Sequence, residues 1–375
     1  MAGIYLHIPY CKFRCIYCDF YKETDESSID AFGEAVCREM ELRKEEIQET
    51  VHTVYFGGGT PSRLNKYHFD QIFSSLFNNF QIDRNAEITL EANPDDLTSD
   101  YIGMLQTLPI NRISIGIQSF DDAELQFLSR RHSARQAVDA VHRCQRAGYD
   151  NISIDLMYGL PKQTIEMWES NLQLAMDLNI QHISAYHLIF EEHTKLYTML
   201  QRGKVRPAPD ELSVAMFDLL IKTTAQHGFE FYEVSNFAKN QLYSRHNTSY
   251  WQNKPYLGLG PSAHSYNGSQ RLWNVSSIEK YIQSIHKEEL CLTSENLTFQ
   301  DKYNEFVLTA IRTKWGVDLK QLRKKFGLQQ HNYCLKHVQK HIDSEAAYIE
   351  GDFLKLTLKG VFMADGVASD LMWVE

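Results

Sequence analysis

Tyr5-Leu-His7-Ile-Pro9-Tyr-Cys11-Lys-Phe-Arg-Cys15-Ile-Tyr17-Cys18-Asp19-Phe20 sets three cysteines in a C-x3-C-x2-C spacing directly after a short apolar run. Iron–sulfur clusters are normally held by four thiolates. Three thiolates hold three irons of a four-iron cluster and leave one iron open to another ligand. That is the arrangement by which S-adenosylmethionine (SAM) is bound and reductively cleaved, so this stretch proposes a [4Fe–4S] cluster, a second cofactor and radical chemistry. Zinc competes for the same thiols, with His7 as a fourth ligand, but structural zinc is usually held by two close pairs. No second C-x2-C pair occurs in the chain. The odd total of 7 cysteines argues against a disulfide framework, and Cys37, Cys144, Cys291 and Cys334 fit no ligand spacing.

Outward from this loop, apolar runs of strand character alternate with longer helical stretches. The strands read as Ile4–Ile8, Thr53–Phe56, Glu87–Glu91, Arg112–Ile117, Asn151–Leu156 and Gln181–Leu188. The helices between them read as Ile29–Gln48, Tyr67–Phe77, Asp121–Leu128, Ala134–Ala147 and Ile165–Leu178. Six βα units in succession predict an α/β fold with a parallel sheet, curled into a barrel or left open and doubly wound. Polar residues gather where these strands end: Gly57-Gly58-Gly59-Thr60-Pro61-Ser62, Glu91-Ala-Asn93-Pro94, Gln118-Ser119, Asp155 and Tyr158-Gly159, Tyr186 and His187. In (β/α) barrels the site is built at the carboxyl ends of the strands, so one shared site is expected there. For Thr60, Ser62 and Asn93 taken singly, turn and cap roles are an equal reading.

The glycine loop lacks the Gly-Lys-Ser/Thr of a phosphate loop and the G-x-G-x-x-G of a dinucleotide fold. Its expected ligand is the amino group of SAM, reached through backbone carbonyls and Thr60. Glu91 and Asp155 suit the ribose hydroxyls or the cationic ends of SAM, Arg130 and Gln118 its carboxylate, and Tyr17 packs over the cysteine loop.

The bulk properties narrow the class. A length of 375 residues, 43% hydrophobic and 23% charged, fits an ordinary globular chain with room for more than one domain. A net charge of −10 speaks against a general nucleic-acid binder. No apolar run approaches the length of a membrane span, and the first residues lack the basic and apolar segments of a signal peptide. A cytoplasmic protein with reduced thiols is expected. Residues 295–375 read as a compact module: helices at Asp301–Thr313, Leu319–Phe326 and Tyr333–Ile342, strands at Ala347–Ile349 and Phe353–Leu356, and a last helix starting in Leu358–Met363. Three helices and a hairpin suggest a winged helix. With 11 Lys/Arg against 11 Asp/Glu it is neutral, which fits a lid or docking module better than a DNA reader.

Taken together, the Tyr5–Cys18 stretch and Gly57-Gly-Gly-Thr60-Pro61 resemble the radical-SAM superfamily. Within it they resemble the branch that holds the oxygen-independent coproporphyrinogen III oxidases and the heme chaperones. The resemblance covers nearly the whole chain. It implies a partial (β/α)6 TIM-like barrel with a C-terminal helical, winged-helix-like module. The division it implies is a core at 1–225, a connecting region at 226–294 and a C-terminal domain at 295–375. In the oxidases, the residues matching Tyr5, Gly58 and Glu91 contact one SAM. Those matching Tyr17, Gly59, Thr60, Gln118, Arg130 and Asp155 contact a second, and whether this chain takes one or two is open.

Two features point to the chaperones. The oxidases carry a further cysteine two positions past the third cluster ligand, where this chain has Phe20. His246-Asn247-Thr248-Ser249-Tyr250-Trp251 looks like the H-N-x-x-Y-W motif of the chaperones. An imidazole beside large aromatics suits heme, which makes His246, Tyr250 and Trp251 the expected heme residues, with His264 as an alternative ligand. The resemblance implies a protein that binds heme, a [4Fe–4S] cluster and SAM and passes heme to recipient hemoproteins, respiratory enzymes among them. A homodimer stays open. The alternative is radical oxidative decarboxylation of coproporphyrinogen III in porphyrin biosynthesis, and a radical enzyme on another substrate is a third reading.

Overall fold

The computed structural model of the chain describes residues 2–374. Six strands, β1 (Ala2–Ile8), β2 (Val51–Gly58), β3 (Ile82–Ala92), β4 (Arg112–Gln118), β5 (Ile152–Tyr158) and β6 (His182–His187), lie side by side in chain order and pair in parallel. Their sequences alternate because side chains along a strand point to opposite faces. Ile4, Leu6, Val54, Phe56, Ile88, Leu90, Ile113, Ile115, Ile154, Leu156 and Ile183 join one apolar core. The crossover helices Ile29–Arg43, Lys66–Asn79, Ala134–Arg146 and Ile165–Asp177 add their apolar stripes to the same core. Local capping fixes where they start: Ser133 and Gln136 form a reciprocal capping box, and the Thr164 side chain accepts from the Met167 amide. The residues between, among them Tyr5, Tyr55, Glu91, Ser114, Asp155 and Ser184, fall on the opposite, inner face.

The expected parallel unit is therefore present, but the sheet is larger than the sequence suggested. It has 12 strands among the described residues. At the β6 side come β7 (Glu230–Glu233) and β8 (Asn236–Ala238), both antiparallel. At the β1 side β9 (Tyr256–Leu259) pairs in parallel with β1, followed by antiparallel β10 (His264–Tyr266), β11 (Gln270–Asn274) and β12 (Leu292–Asn296). Residues 226–294 thus flank the parallel core on both sides. These strands run only three to five residues each, too short for alternation to announce them.

A buried charge network fastens the β9–β12 flank. Arg43 ends its helix fully buried. Its guanidinium donates to Glu39 (2.8 Å), to the Gly258 carbonyl (2.8 Å) and to Ser265 (3.0 Å). Glu39 in turn accepts from the Gly260 amide (2.8 Å), Asn274 (2.8 Å) and the Tyr281 hydroxyl (2.6 Å). A buried pair is tolerated because every lone pair is met. Arg43 also pairs with Glu46 (2.8 Å), whereas Glu39 has no other cation in this network.

The C-terminal module has a core of its own around Tyr303, Val307, Leu322, Val338 and Leu371. Helices Phe299–Ile311, Leu319–Phe326 and Leu328–Asp343 pack on a small sheet of β13 (Val317–Asp318), β14 (Ala347–Glu350) and β15 (Phe353–Leu356), in the order β13-β15-β14. Strand β13 was not foreseen. The module rests on the flank through Asn253 donating to Thr309 (2.9 Å), Arg271 to Glu305 (2.9 Å), and Phe217 edge-on to Phe362, ring centres 4.9 Å apart.

Candidate functional site

The loop after β1 carries the three cysteines. It is pinned by the Cys11 amide donating to the Glu23 carbonyl (2.8 Å), and the Cys18 amide reaches back to the Cys15 carbonyl (3.4 Å). All three are free thiols. Cys11 is buried beside the Thr60 hydroxyl (3.2 Å), and burial pushes its thiol up to about 11. Ligation reverses that penalty, since a metal-bound thiol is deprotonated outright. Cys15 and Cys18 are half-buried and line a cavity of about 510 Å³ with Arg14, Phe20, His193 and Lys195. Among the described residues no three His, Cys, Asp or Glu side chains, these thiols included, converge as ligands of a single ion. His7 is not offered to zinc: its Nε2 meets the Tyr21 carbonyl (2.9 Å) and its Nδ1 the Tyr5 hydroxyl (3.3 Å). Phe20 stands 71% exposed, directly where the oxidases have their extra cysteine.

The glycine loop lies across the end of β1. A Cβ at Gly58, whose φ is +107°, would sit 2.7 Å from the His7 ring. One at Gly59 would meet the backbone of Ile8, Pro9 and Tyr10 at 2.8–2.9 Å. The glycines are therefore demanded first by the chain itself. Thr60 links this loop to the cysteines and to Asn93, whose amide donates to its hydroxyl at 3.3 Å.

The other expected SAM residues come together above the inner face. The Tyr55 hydroxyl donates to Glu91 (2.7 Å) and Ser114 to Asp155 (3.5 Å). Burial pushes Glu91 up to about 7, with the Tyr55 bond opposing it and the charge of Asp155 adding to it. Burial likewise pushes Asp155 up to about 6, against the bond from Ser184. At both carboxyls burial outweighs the nearby Arg112 charge, and at Asp155 that of Arg130 as well. Arg130 reaches Asn93 (2.5 Å), the Gly116 carbonyl and Cys15 Sγ (3.5 Å), while its Nε has no partner. Tyr17 sits against Arg130 and Cys15. Gln118 takes φ +73° at the end of β4, beside a register shift. A left-handed non-glycine residue there is a strained conformation of the kind found at ligand sites. Tyr5 stacks on Tyr55, centres 6.2 Å apart.

An orphaned guanidinium nitrogen, two buried carboxyls raised toward neutrality and three free thiols make a donor set that fits SAM and an iron–sulfur cluster. The thiols would hold the irons. Glu91 and Asp155 would take the ribose hydroxyls or ammonium of SAM, and Arg130 its carboxylate. The cluster supplies, when bound, the electron for cleaving SAM. Sequence reasoning missed Tyr55, Arg112 and Ser184. Their signal was the polar half of the strand alternation, as in Thr53-x-Tyr55, Arg112-x-Ser114 and His182-x-Ser184.

Of the expected heme residues, Tyr250 and Trp251 line a cavity, and His246 lies deeper in the fold. His246 is fully buried, with Nδ1 at 2.8 Å from the Thr53 hydroxyl and Nε2 at 2.8 Å from the Tyr250 hydroxyl. Its ring stacks on Tyr55, centres 5.0 Å apart, and burial lowers its pKa to about 3. Both ring nitrogens have hydrogen-bond partners inside the fold. It plugs the inner face from the amino-terminal side. Tyr250 and Trp251 are half-buried and line a cavity of about 380 Å³ with Tyr186, Tyr256 and Arg271. His264 stacks on Trp273, centres 5.8 Å apart, on the β9–β12 flank.

Two family models match: the Radical SAM superfamily over residues 5–175 and the HemN C-terminal domain over 297–363. A "Heme chaperone HemW" of Lactococcus lactis is 32% identical, covering 97% of this chain and 95% of that protein. Another of the same name from Bacillus subtilis is 33% identical over 87% of each. The coproporphyrinogen III oxidase HemN of Escherichia coli superimposes with a TM-score of 0.86 at 22% identity, covering 99% of this chain and 90% of that one. At that identity the superposition establishes the fold.

Proposed function

Since this chain belongs to the radical SAM superfamily and, within it, to the HemW family, we propose that it is a heme chaperone of the cytoplasm. In this reading it carries a [4Fe–4S] cluster and SAM, binds heme and hands it to recipient hemoproteins. The observation that carries the reading is end-to-end similarity to two HemW proteins, joined to the exposed Phe20 where the oxidases place a cysteine. The likeness in fold to HemN leaves a second reading, decarboxylation of coproporphyrinogen III, as the alternative. No helix of the described residues is long and apolar enough to cross a membrane, so heme delivery to membrane-bound recipients would be by docking.

The test is a parallel assay on anaerobically reconstituted protein. Heme should bind at low micromolar affinity or tighter, about −8 kcal/mol. Coproporphyrinogen III should remain intact with SAM and reductant present. Product at enzymatic rates would decide for the oxidase.

A further inference from the structure

We propose that heme sits in the cavity between the carboxyl ends of β5 and β6 and the C-terminal module, with His187 as its axial ligand. This rests on the heme-chaperone reading and goes beyond it, because the motif that suggested heme places its histidine elsewhere. The cavity is about 760 Å³, within the 300–1,000 Å³ usual for cofactor sites. Three parts of the chain wall it: Tyr158 and His187 from the barrel, Trp251 from the H-N-x-x-Y-W segment, and Arg312, Phe362 and Met363 from the module. Sites of this kind favour the seams between domains.

Each wall offers what a porphyrin needs. Val214, Phe217, Trp251 and Phe362 supply apolar and aromatic surface for a flat ring. Val214 (46%), Phe362 (41%) and Met363 (47%) are more exposed than apolar side chains usually are, so a ligand seated there would remove that surface from water. His187 holds Ser213 Oγ at 2.9 Å through Nε2, while its Nδ1 has no hydrogen-bond partner among the described residues. Its ring packs edge-on to Tyr158, centres 5.2 Å apart, and fills the space a side chain at Gly159 would take. The imidazole is thus positioned, not adrift. Burial also lowers its pKa, against the opposing charge of Asp210 in the same lining. Met363 adds a thioether, the second ligand type that partners histidine on heme iron.

Arg312 is the cation for a propionate. Its present partner is Asp365, whose side chain is 88% exposed. Solvent-exposed pairs of that kind contribute little, so a heme carboxylate can displace it. Trp251 lines this cavity and the neighbouring one alike. That accounts for a heme-associated motif whose histidine is buried in the fold while its tryptophan reaches the ligand.

The experiment is an optical titration of the full reconstituted chain with ferric protoporphyrin IX, repeated with iron-free protoporphyrin IX. His187→Ala should weaken the iron porphyrin at least tenfold and shift its Soret band, and should leave the iron-free ring within about twofold of wild type. Met363→Leu should shift the band with a smaller loss, and His264→Ala should change neither. Unaltered iron content and melting temperature exclude misfolding as the cause. If wild type binds heme and His187→Ala binds it with the same affinity and band, the assignment is overturned. It is overturned too if His264→Ala alone removes the band. If wild type binds no heme, the chaperone reading itself fails and takes this site with it.

Discussion

The two ends of the parallel core are made from the same alternation of residues and finished in opposite ways. At the amino-terminal end the inward polar groups satisfy one another. His246 joins Thr53 to Tyr250, and His182 joins Ser153 (2.7 Å) to the Tyr232 hydroxyl (2.7 Å). At the carboxyl end the groups are left over: Arg130 Nε is unpaired, Gln118 is strained, and burial raises Glu91 and Asp155 toward neutrality against the charges around them. Arg112 lies between, buried, its Nε without a partner and its charge felt by Glu91, Asp155 and His246. Polar residues inside a fold are therefore not one class. Where their bonds close they are core, and where they do not the missing partner is a ligand.

The largest effect expected on this contrast falls at the cysteine loop. Reconstituted wild type should hold about four irons per chain with a broad absorbance near 400 nm, as thiolate-held clusters do. Cys15→Ala should lose the cluster entirely. Cys144→Ala, in the apolar core, should keep it. Retention of a full cluster in Cys15→Ala would remove the open end from the argument altogether.

Next in size is a crossed pair of substitutions. Asp155→Ala should weaken SAM binding by about tenfold or more, the cost of a hydrogen bond to a charged group at roughly 1.5–3 kcal/mol, with the fold intact. His246→Ala should do the reverse. It strands the Thr53 and Tyr250 hydroxyls and opens a void, costing about 2–4 kcal/mol of stability, while the folded fraction keeps its iron and its SAM affinity. Calorimetry and chemical denaturation of both variants check this. Equal loss of SAM in both would mean that the two ends act as one site.

Much of the open end was legible in the chain, and little of the closed end. The thiols follow β1, Glu91, Gln118 and Asp155 lie in or at the ends of β3, β4 and β5, and Arg130 comes just past the short helix Asp122–Phe127 after β4, so local reading places them. His246 meets its partner Thr53 across 193 residues, and no window of sequence tells a plug from a ligand. The flanking strands β7–β12 escaped for a different reason. They are stabilised by pairing at the edges of a sheet already formed, and carry no period of their own. The glycine loop was legible as a motif, and the structure adds that the crowding at Gly58 and Gly59 comes from His7 and the end of β1.

The smallest effect expected is also the most discriminating, because the two ends should titrate with opposite sign. Glu91 has its ordinary value near 4.5 raised to about 7. Between those values the native chain keeps a proton that the unfolded chain has released, so the associated stability is present below about pH 4.5 and is lost as pH rises through 7. His246 has its ordinary 6.5 lowered to about 3. There the unfolded chain takes up a proton that the native chain refuses, so stability is lost as pH falls below 6.5. Glu91→Gln cannot ionise and still faces the Tyr55 hydroxyl. Its melting temperature should match wild type at pH 4.5 and exceed it by roughly 2–4 °C at pH 8. Saturating SAM should narrow that gap, because a bound cation favours the ionised carboxylate. His246→Gln should diverge from wild type only on the acid side of pH 6.5. A constant offset between wild type and Glu91→Gln at every pH would show that Glu91 is already ionised in the native chain, and that the open end finds its cation within the protein.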